Sequence, residues 1–324
     1  MQPQLAYSND NPQQSDAAMQ SKLLDKRRRF RAFEQNKERE LHEQQQSRRY
    51  YHAKQWTDAE IRALKARGQP IITDNRIGRK IDFLVGVEQR MRRDPKGFPR
   101  TPKAEQSADL ATAGLRYICD NNRWEILSED VTGKGMVTGI GAVWIGVEPG
   151  PQGLDVKIKP VPEDRFFYDS RSELKDFSDA RYMGVHLWMD VDEAKQRFQD
   201  HADDLDEMVN GDHIGSGGGF VVEQDREEQW GDFEHRRVRI VEFWEKRFDP
   251  QYGRDVWFYC FFTGHIDLDS GMSPYMDEDG YPDCPYIAWS AYVDERGDRY
   301  SPIRNMKSMQ DEINHRRSKF LHMV

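Results

Sequence analysis

From Ser21 to about Lys54 the chain has no Gly or Pro, and its apolar residues stand far apart: Leu23, Leu24, Phe30, Phe33 and Leu41. This pattern predicts one long, highly charged helix, and a helix this polar needs a partner surface. Thr57 and Glu60 form a capping-box pattern that starts the next helix, and Gly68 followed by Pro70 ends it. Residues 75–92 repeat apolar positions at helical spacing (Ile77, Ile81, Leu84, Val87), and Arg90, Arg92 and Arg93 suit the negative end of the helix dipole. Pro95, Pro99 and Pro102 then interrupt the chain. Helices follow at 104–122, with Leu110, Ala113, Leu115 and Ile118 near one side, and at 124–138, which runs into Gly139-Ile140-Gly141.

Beyond Gly141 the pattern changes to strands. Ala142–Glu148 and Leu154–Pro160 flank Pro149-Gly150-Pro151-Gln152-Gly153 and predict a hairpin. Arg181–Met189 predicts a strand, with Asp190 and Glu193 capping a short helix to about Phe198. Residues 210–232 predict a mobile, Gly-rich acidic loop. Val238–Phe248, Asp255–Leu268 and Pro285–Val293 are aromatic and β-branched, as strands are. Ser301-Pro302 is an N-cap and N1 pair opening a last helix, with Ile303, Met306, Met309, Ile313 and Phe320 near one face. No Gly or Pro stop precedes Val324, so the pattern predicts truncation inside that helix. The fold class predicted is α+β: a helical N-terminal part, a mixed region, a strand-rich segment and a terminal helix.

Composition refines this picture. Residues 1–20 are rich in Gln, Asn, Pro and Ser and predict a disordered arm. The net charge is −9, yet the signs are segregated: residues 22–67 are rich in Lys and Arg, residues 190–234 in Asp and Glu. Such segregation suits contacts between neighbouring copies, or with nucleic acid. Cys119, Cys260 and Cys284 are odd in number and far apart, which argues against a disulfide scaffold or zinc module and fits synthesis in a reducing cytoplasm. No run of eighteen apolar residues predicts a membrane span, and no signal core opens the chain.

Candidate chemistry is sparse. Asp277-Glu278-Asp279-Gly280 with Asp283 lacks the closing Glu of a calcium loop and reads as an Asp-Gly turn. Gly215–Gly219 is surrounded by acids and reads as a flexible loop. Gly133-Lys134-Gly135 lacks P-loop spacing, and Gly135, Gly139 and Gly141 read as glycines that permit close packing. His265, Asp267 and Asp269 would share one face of a strand, a conceivable metal site for a DNA-processing enzyme, though strand-edge solvation explains them more simply. No residue set calls for a cofactor or an enzyme.

An ordered series of short patterns does carry information. It runs Arg49-Tyr50-Tyr51, Gln55-Trp56, Glu60, Leu64, Arg67-Gly68-Gln69-Pro70, Asn75-Arg76-Ile77, Val85-Gly86-Val87-Glu88, Arg92, Pro99 and Gly139-Ile140-Gly141-Ala142. Then come Pro162, Arg165-Phe166-Phe167-Tyr168-Asp169, Asp179-Ala180-Arg181-Tyr182-Met183, Glu242-Phe243-Trp244, Thr263-Gly264, Gln310, Asn314, Arg316 and Ser318-Lys319. In this order, over about residues 45–322, the chain resembles the portal proteins of short-tailed bacteriophages.

The resemblance implies a structural, non-enzymatic subunit of a homo-oligomeric ring, typically a dodecamer, at one capsid vertex. Double-stranded DNA would pass through its channel in packaging and ejection. The terminase motor, the capsid or scaffolding protein and a tail adaptor would be its partners, the virion its location and the host bacterial cytoplasm its place of synthesis. Residues 21–253 would form the helical and α+β wing, 254–298 clip-like strands and 299–324 a channel-proximal stem helix. Arg304, Lys307, Arg316, Arg317 and Lys319 on that helix are the candidate contacts to DNA phosphate or to a neighbouring subunit. The chain departs from the family in having only a short turn between Val238–Phe248 and Asp255–Leu268, and in ending where relatives continue. A head–tail adaptor is the alternative within the same class.

Overall fold

The computed structural model of the chain describes residues 12–99, 101–150, 153–210, 230–232 and 234–323, and it is α+β, as the sequence predicts. In chain order come α1 (Pro12–Asn36), α2 (Glu38–Tyr51), α3 (Asp58–Ala66), α4 (Arg76–Met91), α5 (Glu105–Asn121) and α6 (Trp124–Thr138). They are followed by β1 (Ile140–Gly150), β2 (Gly153–Val161), β3 (Phe166–Tyr168), β4 (Tyr182–Asp190), α7 (Val191–Arg197) and α8 (Ala202–Asn210). Then come β5 (Gly231–Asp232), β6 (Arg237–Asp249), β7 (Arg254–Thr263), β8 (Ile266–Met272), β9 (Tyr286–Ser290), β10 (Tyr292–Val293) and β11 (Arg299–Tyr300). A 3-10 segment over Pro302–Met306 leads into α9 (Lys307–Met323).

Local signals place several of these ends. The Thr57 hydroxyl accepts from the Glu60 N–H at 3.3 Å, and the Glu60 carboxylate accepts from the Thr57 N–H at 2.8 Å, so the capping box of α3 is closed. Gly139 caps α6 in the left-handed region at φ 103°. Ser301 Oγ accepts from Ile303 N–H at 3.0 Å, so the predicted N-cap forms, but it opens a 3-10 turn rather than α-helix.

Other elements depart from the sequence pattern. The single helix expected over Ser21–Lys54 breaks at Lys37, whose buried ammonium donates to Gly297 O at 2.7 Å and Asp298 Oδ1 at 3.0 Å. Helix α1 begins at Pro12, inside the stretch whose composition predicts an arm; residues 1–11, and most of the expected 210–232 loop, lie outside the described residues. The strand expected over Asp255–Leu268 is two strands, turned at Gly264 with φ 53°. The strand expected over Pro285–Val293 divides at Ala291. Asp190 makes no cap bond to α7; its carboxylate accepts instead from Arg237 Nε at 2.9 Å.

The described chain forms two compact units. The first comprises residues up to Asn36, Phe167–Ser170 and Arg181–Cys284. Its sheet runs β3-β4-β6-β7-β8, with β5 also paired to β6, and the described pairings of β4 through β8 are antiparallel. The polar α1 finds its partner surface here: Phe30 meets Phe167 edge-on at 4.9 Å and Phe33 meets Tyr168 at 5.2 Å. Its charges are matched too, Arg29 to Glu245 at 3.1 Å and Glu34 to Arg239 at 2.6 Å. Gly184 is obligatory at this packing, since a Cβ there would lie 1.9 Å from Glu242 O. Helices α7 and α8 seal the unit with Val191, Ala194, Leu205 and Val209 against Val238, Ile240 and Leu268.

The second unit comprises Lys37–Phe166, Arg171–Ala180 and Pro285 onward. It holds α2 to α6, α9 and the antiparallel sheet β2-β1-β9. The glycines of α6 and β1 do permit close approach: a Cβ on Gly135 or Gly141 would lie 2.5 or 2.6 Å from the Trp289 indole. Ile77, Ile81, Val137 and Ile303 form the apolar core where α4, α6 and the start of the last helical segment meet.

These units cut the chain elsewhere than at the wing, clip and stem boundaries expected at 253/254 and 298/299. Strands β7 and β8, expected in a clip-like segment, continue the sheet of β4 and β6, because β7 pairs with β6 over nine residues from Val241↔Phe262 to Asp249↔Arg254.

Candidate functional site

The last helix carries the candidate contacts, so its docking decides which of them are available. The expected apolar line along it is not the docked face. Ile303 is buried, but Met309 and Phe320 are 62% and 63% exposed, while Gln310, Asn314 and Ser318 are buried. Those three lie four residues apart, one stripe of a helix.

Each buried polar side chain is matched, as burial demands. Gln310 Nε2 donates to Asp74 O at 2.7 Å and its Oε1 accepts from Arg76 N–H at 3.0 Å. Asn314 Oδ1 accepts from Asp74 N–H at 3.0 Å, and its Nδ2 donates to Gln55 Oε1 at 2.6 Å. Gln55 Nε2 in turn donates to Tyr50 O and Asn75 Oδ1, both at 3.0 Å. Asn75 Oδ1 accepts from Gly78 N–H and caps α4, while Asn75 Nδ2 donates to Tyr51 O at 2.8 Å. Ser318 Oγ donates to Pro70 O, and Trp56 Nε1 donates to Ile72 O. The dispersed patterns Gln55-Trp56, Asn75-Arg76, Gln310, Asn314 and Ser318 are therefore one object: an amide network joining the end of α2, the start of α4 and α9.

The five basic residues separate into two groups. Arg304 is committed within the fold: Nε donates to Glu43 Oε1 at 2.7 Å, a second nitrogen bonds Glu43 Oε2, and another reaches Asp294 Oδ2 at 3.0 Å. Its guanidinium also lies over the Tyr300 ring at 3.9 Å. The bonds from Glu43 hold its pKa above the ordinary arginine value. Lys307 is half-buried, 3.7 Å from the same Glu43, and burial lowers its pKa. Arg316, Arg317 and Lys319 are exposed. Arg316 pairs with Glu312 one turn away and Arg317 with Asp74 at 3.2 Å. The Arg316 pair is exposed on both sides and therefore weak and exchangeable, whereas the Arg317 partner Asp74 is mostly buried; of the three, Arg316 and Lys319 are the more open to an anionic partner.

Below the same helix, Tyr50 OH donates to Asp311 Oδ1 at 2.8 Å. Burial raises the Asp311 pKa, and the nearby Glu60 charge adds to the effect. A second buried polar cluster was not legible in the sequence. Arg299, fully buried, donates to Ser172 O and Oγ, Gly297 O and Leu174 O, and its backbone N–H donates to Glu40 Oε2 at 2.8 Å. Nothing in the local sequence marks Lys37, Glu40 or Arg299 as interior; each is a charged residue among charged neighbours.

The metal reading of His265, Asp267 and Asp269 is corrected by the strand geometry. His265 lies in the β7–β8 turn, not on the strand. A bulge between Phe261 and Phe262 pairs Asp267 with Phe262 and Asp269 with Phe261. Paired residues share a face and successive residues alternate, so the two carboxylates point to opposite sides of the sheet. Asp267 accordingly neighbours Cys260 Sγ at 3.7 Å and Asp269 neighbours Tyr259 OH at 3.5 Å. Burial pushes the Cys260 thiol up to about 12. Among the described residues no group of three His, Cys, Asp or Glu could hold a metal ion, and no helix is long and apolar enough to cross a membrane. Asp277 is a turn residue: Oδ1 accepts from Asp279 N–H at 2.9 Å and Tyr281 N–H at 2.8 Å. Lys134 pairs with Asp130 along α6, while Gly215–Gly219 lies outside the described residues.

Comparison with known proteins places this architecture. The portal protein of Helicobacter pylori bacteriophage KHP30 is 20% identical to it over 282 residues, which cover 86% of this chain and 42% of that protein. The chain thus spans less than half the length of that relative. A family model described as phage P22-like portal protein matches residues 27–324, a span that includes the amide network, both basic groups of the last helix and the sheets of both units, and the chain belongs to that family.

Proposed function

We propose that this chain serves as a subunit of a phage portal, the head-to-tail connector. Copies close into a ring at one vertex of the capsid, and double-stranded DNA passes through the central channel during packaging and ejection. The observation that carries this reading is the family match over residues 27–324. The role is mechanical and structural and assigns no side chain to catalysis. A cyclic assembly leaves no free edge and encloses a channel. DNA that must slide is best met by phosphate contacts, which hold position without reading sequence.

On this reading α9 (Lys307–Met323), within the 299–324 segment, is the channel-proximal stem helix, with Arg316, Arg317 and Lys319 supplying phosphate contacts. Arg304 and Lys307 hold the helix in place through Glu43. The ring is a dodecamer of the virion, made in the host cytoplasm, with the terminase motor, the capsid or scaffolding protein and a tail adaptor as partners.

The experiment is mass measurement with negative-stain imaging of the purified chain, at low and moderate salt. Closed rings of about a dozen copies with a central hole are expected. A monodisperse monomer at every concentration and salt condition would overturn the reading for this chain.

A further inference from the structure

Helix α4 opens with cations where a helix favours anions. Its first turn holds no acid; Arg76 begins it, and Arg79 and Lys80 follow one turn on. The N-terminal end of a helix dipole is positive, so these charges work against the helix, and the like-charged Arg76 and Lys80 stand in neighbouring positions on its surface. Helix α3 has the opposite arrangement, with Asp58 and Glu60 in its first turn. Arg79 and Lys80 are exposed, and neither has a partner among the described residues. Charges set against the local rule, with no bond in return, are expected at functional positions.

This charge is not balanced nearby. Asp74 is the one acid in residues 61–81, and its side chain is 18% exposed. Residues 313–323 hold none. The two segments form one surface. Arg76 Nε and a terminal nitrogen of Arg317 each lie 3.2 Å from the same oxygen, Asp74 Oδ2, while Gln310 and Asn314 bind the backbone of Arg76 and Asp74. Arg79 and Lys80 continue α4 on the side of Arg76. At the margins Asp82 accepts from Tyr51 OH and Glu312 pairs with Arg316, so neither is bonded to Arg79 or Lys80.

One carboxylate between two guanidinium groups aligns them and leaves an excess positive charge. The Arg76 and Arg317 side chains are 56% and 54% exposed, and each guanidinium has five N–H donors, so donors remain for a second anion. Planar donor forks held in place suit the oxygens of a phosphate.

We infer that the start of α4 is a further backbone-phosphate contact for duplex DNA. Arg76 and Arg317, positioned by Asp74, take one phosphate, and Arg79 and Lys80 a neighbouring one. Duplex rather than an acidic protein face is named because Arg317 belongs both to this surface and to the α9 contacts, and one surface meets one partner. The inference rests on the portal reading for the presence of DNA, and it divides the contact between α9 and α4.

The test measures binding of a fluorescent random-sequence duplex by anisotropy across a salt series, with the assembly state of the same sample imaged. Each phosphate contact contributes about 0.9 to the slope of log affinity against log salt, so Arg79→Gln with Lys80→Gln should flatten that slope by about 1.8. Lys103→Gln with Arg116→Gln, an equal charge change at exposed positions of α5 and the turn before it, should leave the slope unchanged. The melting temperature of the α4 variant should hold or rise, because the removed charges oppose the dipole. A slope flattened by Arg316→Gln with Lys319→Gln but not by the α4 variant would overturn the inference and leave the portal reading and its α9 contacts standing. Equal losses in the α4 variant and the α5 control would overturn it as an effect of bulk charge. Rings that need Arg79 and Lys80 to close, yet bind duplex equally without them, would overturn it in favour of an acidic face on a neighbouring copy. Monomers that bind no duplex would overturn both.

Discussion

Replacing Asn314 by alanine tests whether polar bonds, rather than an apolar stripe, hold α9. The substitution removes the acceptor of Asp74 N–H and the donor to Gln55 Oε1, bonds of 3.0 and 2.6 Å. A buried polar group left without a partner costs about 1–3 kcal/mol. Two groups lose a partner, about 2–6 kcal/mol together, and a cavity of about 120 Å³ lined by Gln55, Asp311 and Asn314 among others lets water reach them, which places the loss at the lower end, about 2 kcal/mol. That corresponds to roughly thirtyfold in an opening equilibrium. The two compact units need not unfold together, so the assay should be local: hydrogen–deuterium exchange of a peptide spanning residues 70–78. Protection at Asp74 should fall by about thirtyfold in Asn314→Ala and stay unchanged in Lys319→Ala, whose side chain has no partner among the described residues. A change below about threefold in Asn314→Ala would refute the argument, and would mean that Ile303 and Met306 alone dock the helix.

Three further outcomes follow from the same geometry. Gly141→Ala should cost about 1–3 kcal/mol by thermal denaturation, since its Cβ would lie 2.6 Å from Trp289 Nε1, and Trp289→Leu in the same chain should recover part of the loss. The bonds from the Thr57 backbone, and then its hydroxyl, hold the Glu60 pKa below the ordinary glutamate value, so its contribution is complete above that value and is lost as pH falls through the depressed one; Glu60→Gln should flatten that acid limb of a pH–stability profile, by under about 1 kcal/mol because the group is largely exposed. Arg304→Met, which removes the guanidinium bonds to Glu43 and Asp294, should lower stability by about 2 kcal/mol, whereas Lys319→Glu should leave the melt unchanged and weaken DNA retention in packaging assays.

Local signals were legible and long-range ones were not. The Thr57–Glu60 box and the Ser301 cap each involve residues within a few positions, so their patterns survive in the sequence. Gln310 meets Arg76 across 234 positions and Lys37 meets Asp298 across 261. No periodicity reports such partners. Hydrophobic spacing pointed to the wrong side of α9, because the face that docks does so through amides and leaves Met309 and Phe320 outside. The alternation rule failed at Asp267 and Asp269 for an equally local reason, one extra residue in β8 that the composition of the strand does not announce. The ordered patterns that carried the family resemblance succeeded because several of them are the parts of one buried network, which constrains residue identity far more tightly than an apolar core does.

The amide docking of α9 also has a mechanical meaning. An apolar ridge can slip by one turn, about 5.4 Å, and mesh again with the next groove. The bonds that Gln310 and Asn314 make to the backbone at Asp74 and Arg76 have no equivalent one turn away, since the next residues on that stripe are Met306 and Ser318. The helix is therefore soft to bending at its exposed end and stiff to shear along its axis. A pull along its axis is delivered at the start of α4 and the end of α2, as a load on a pin rather than on a bearing.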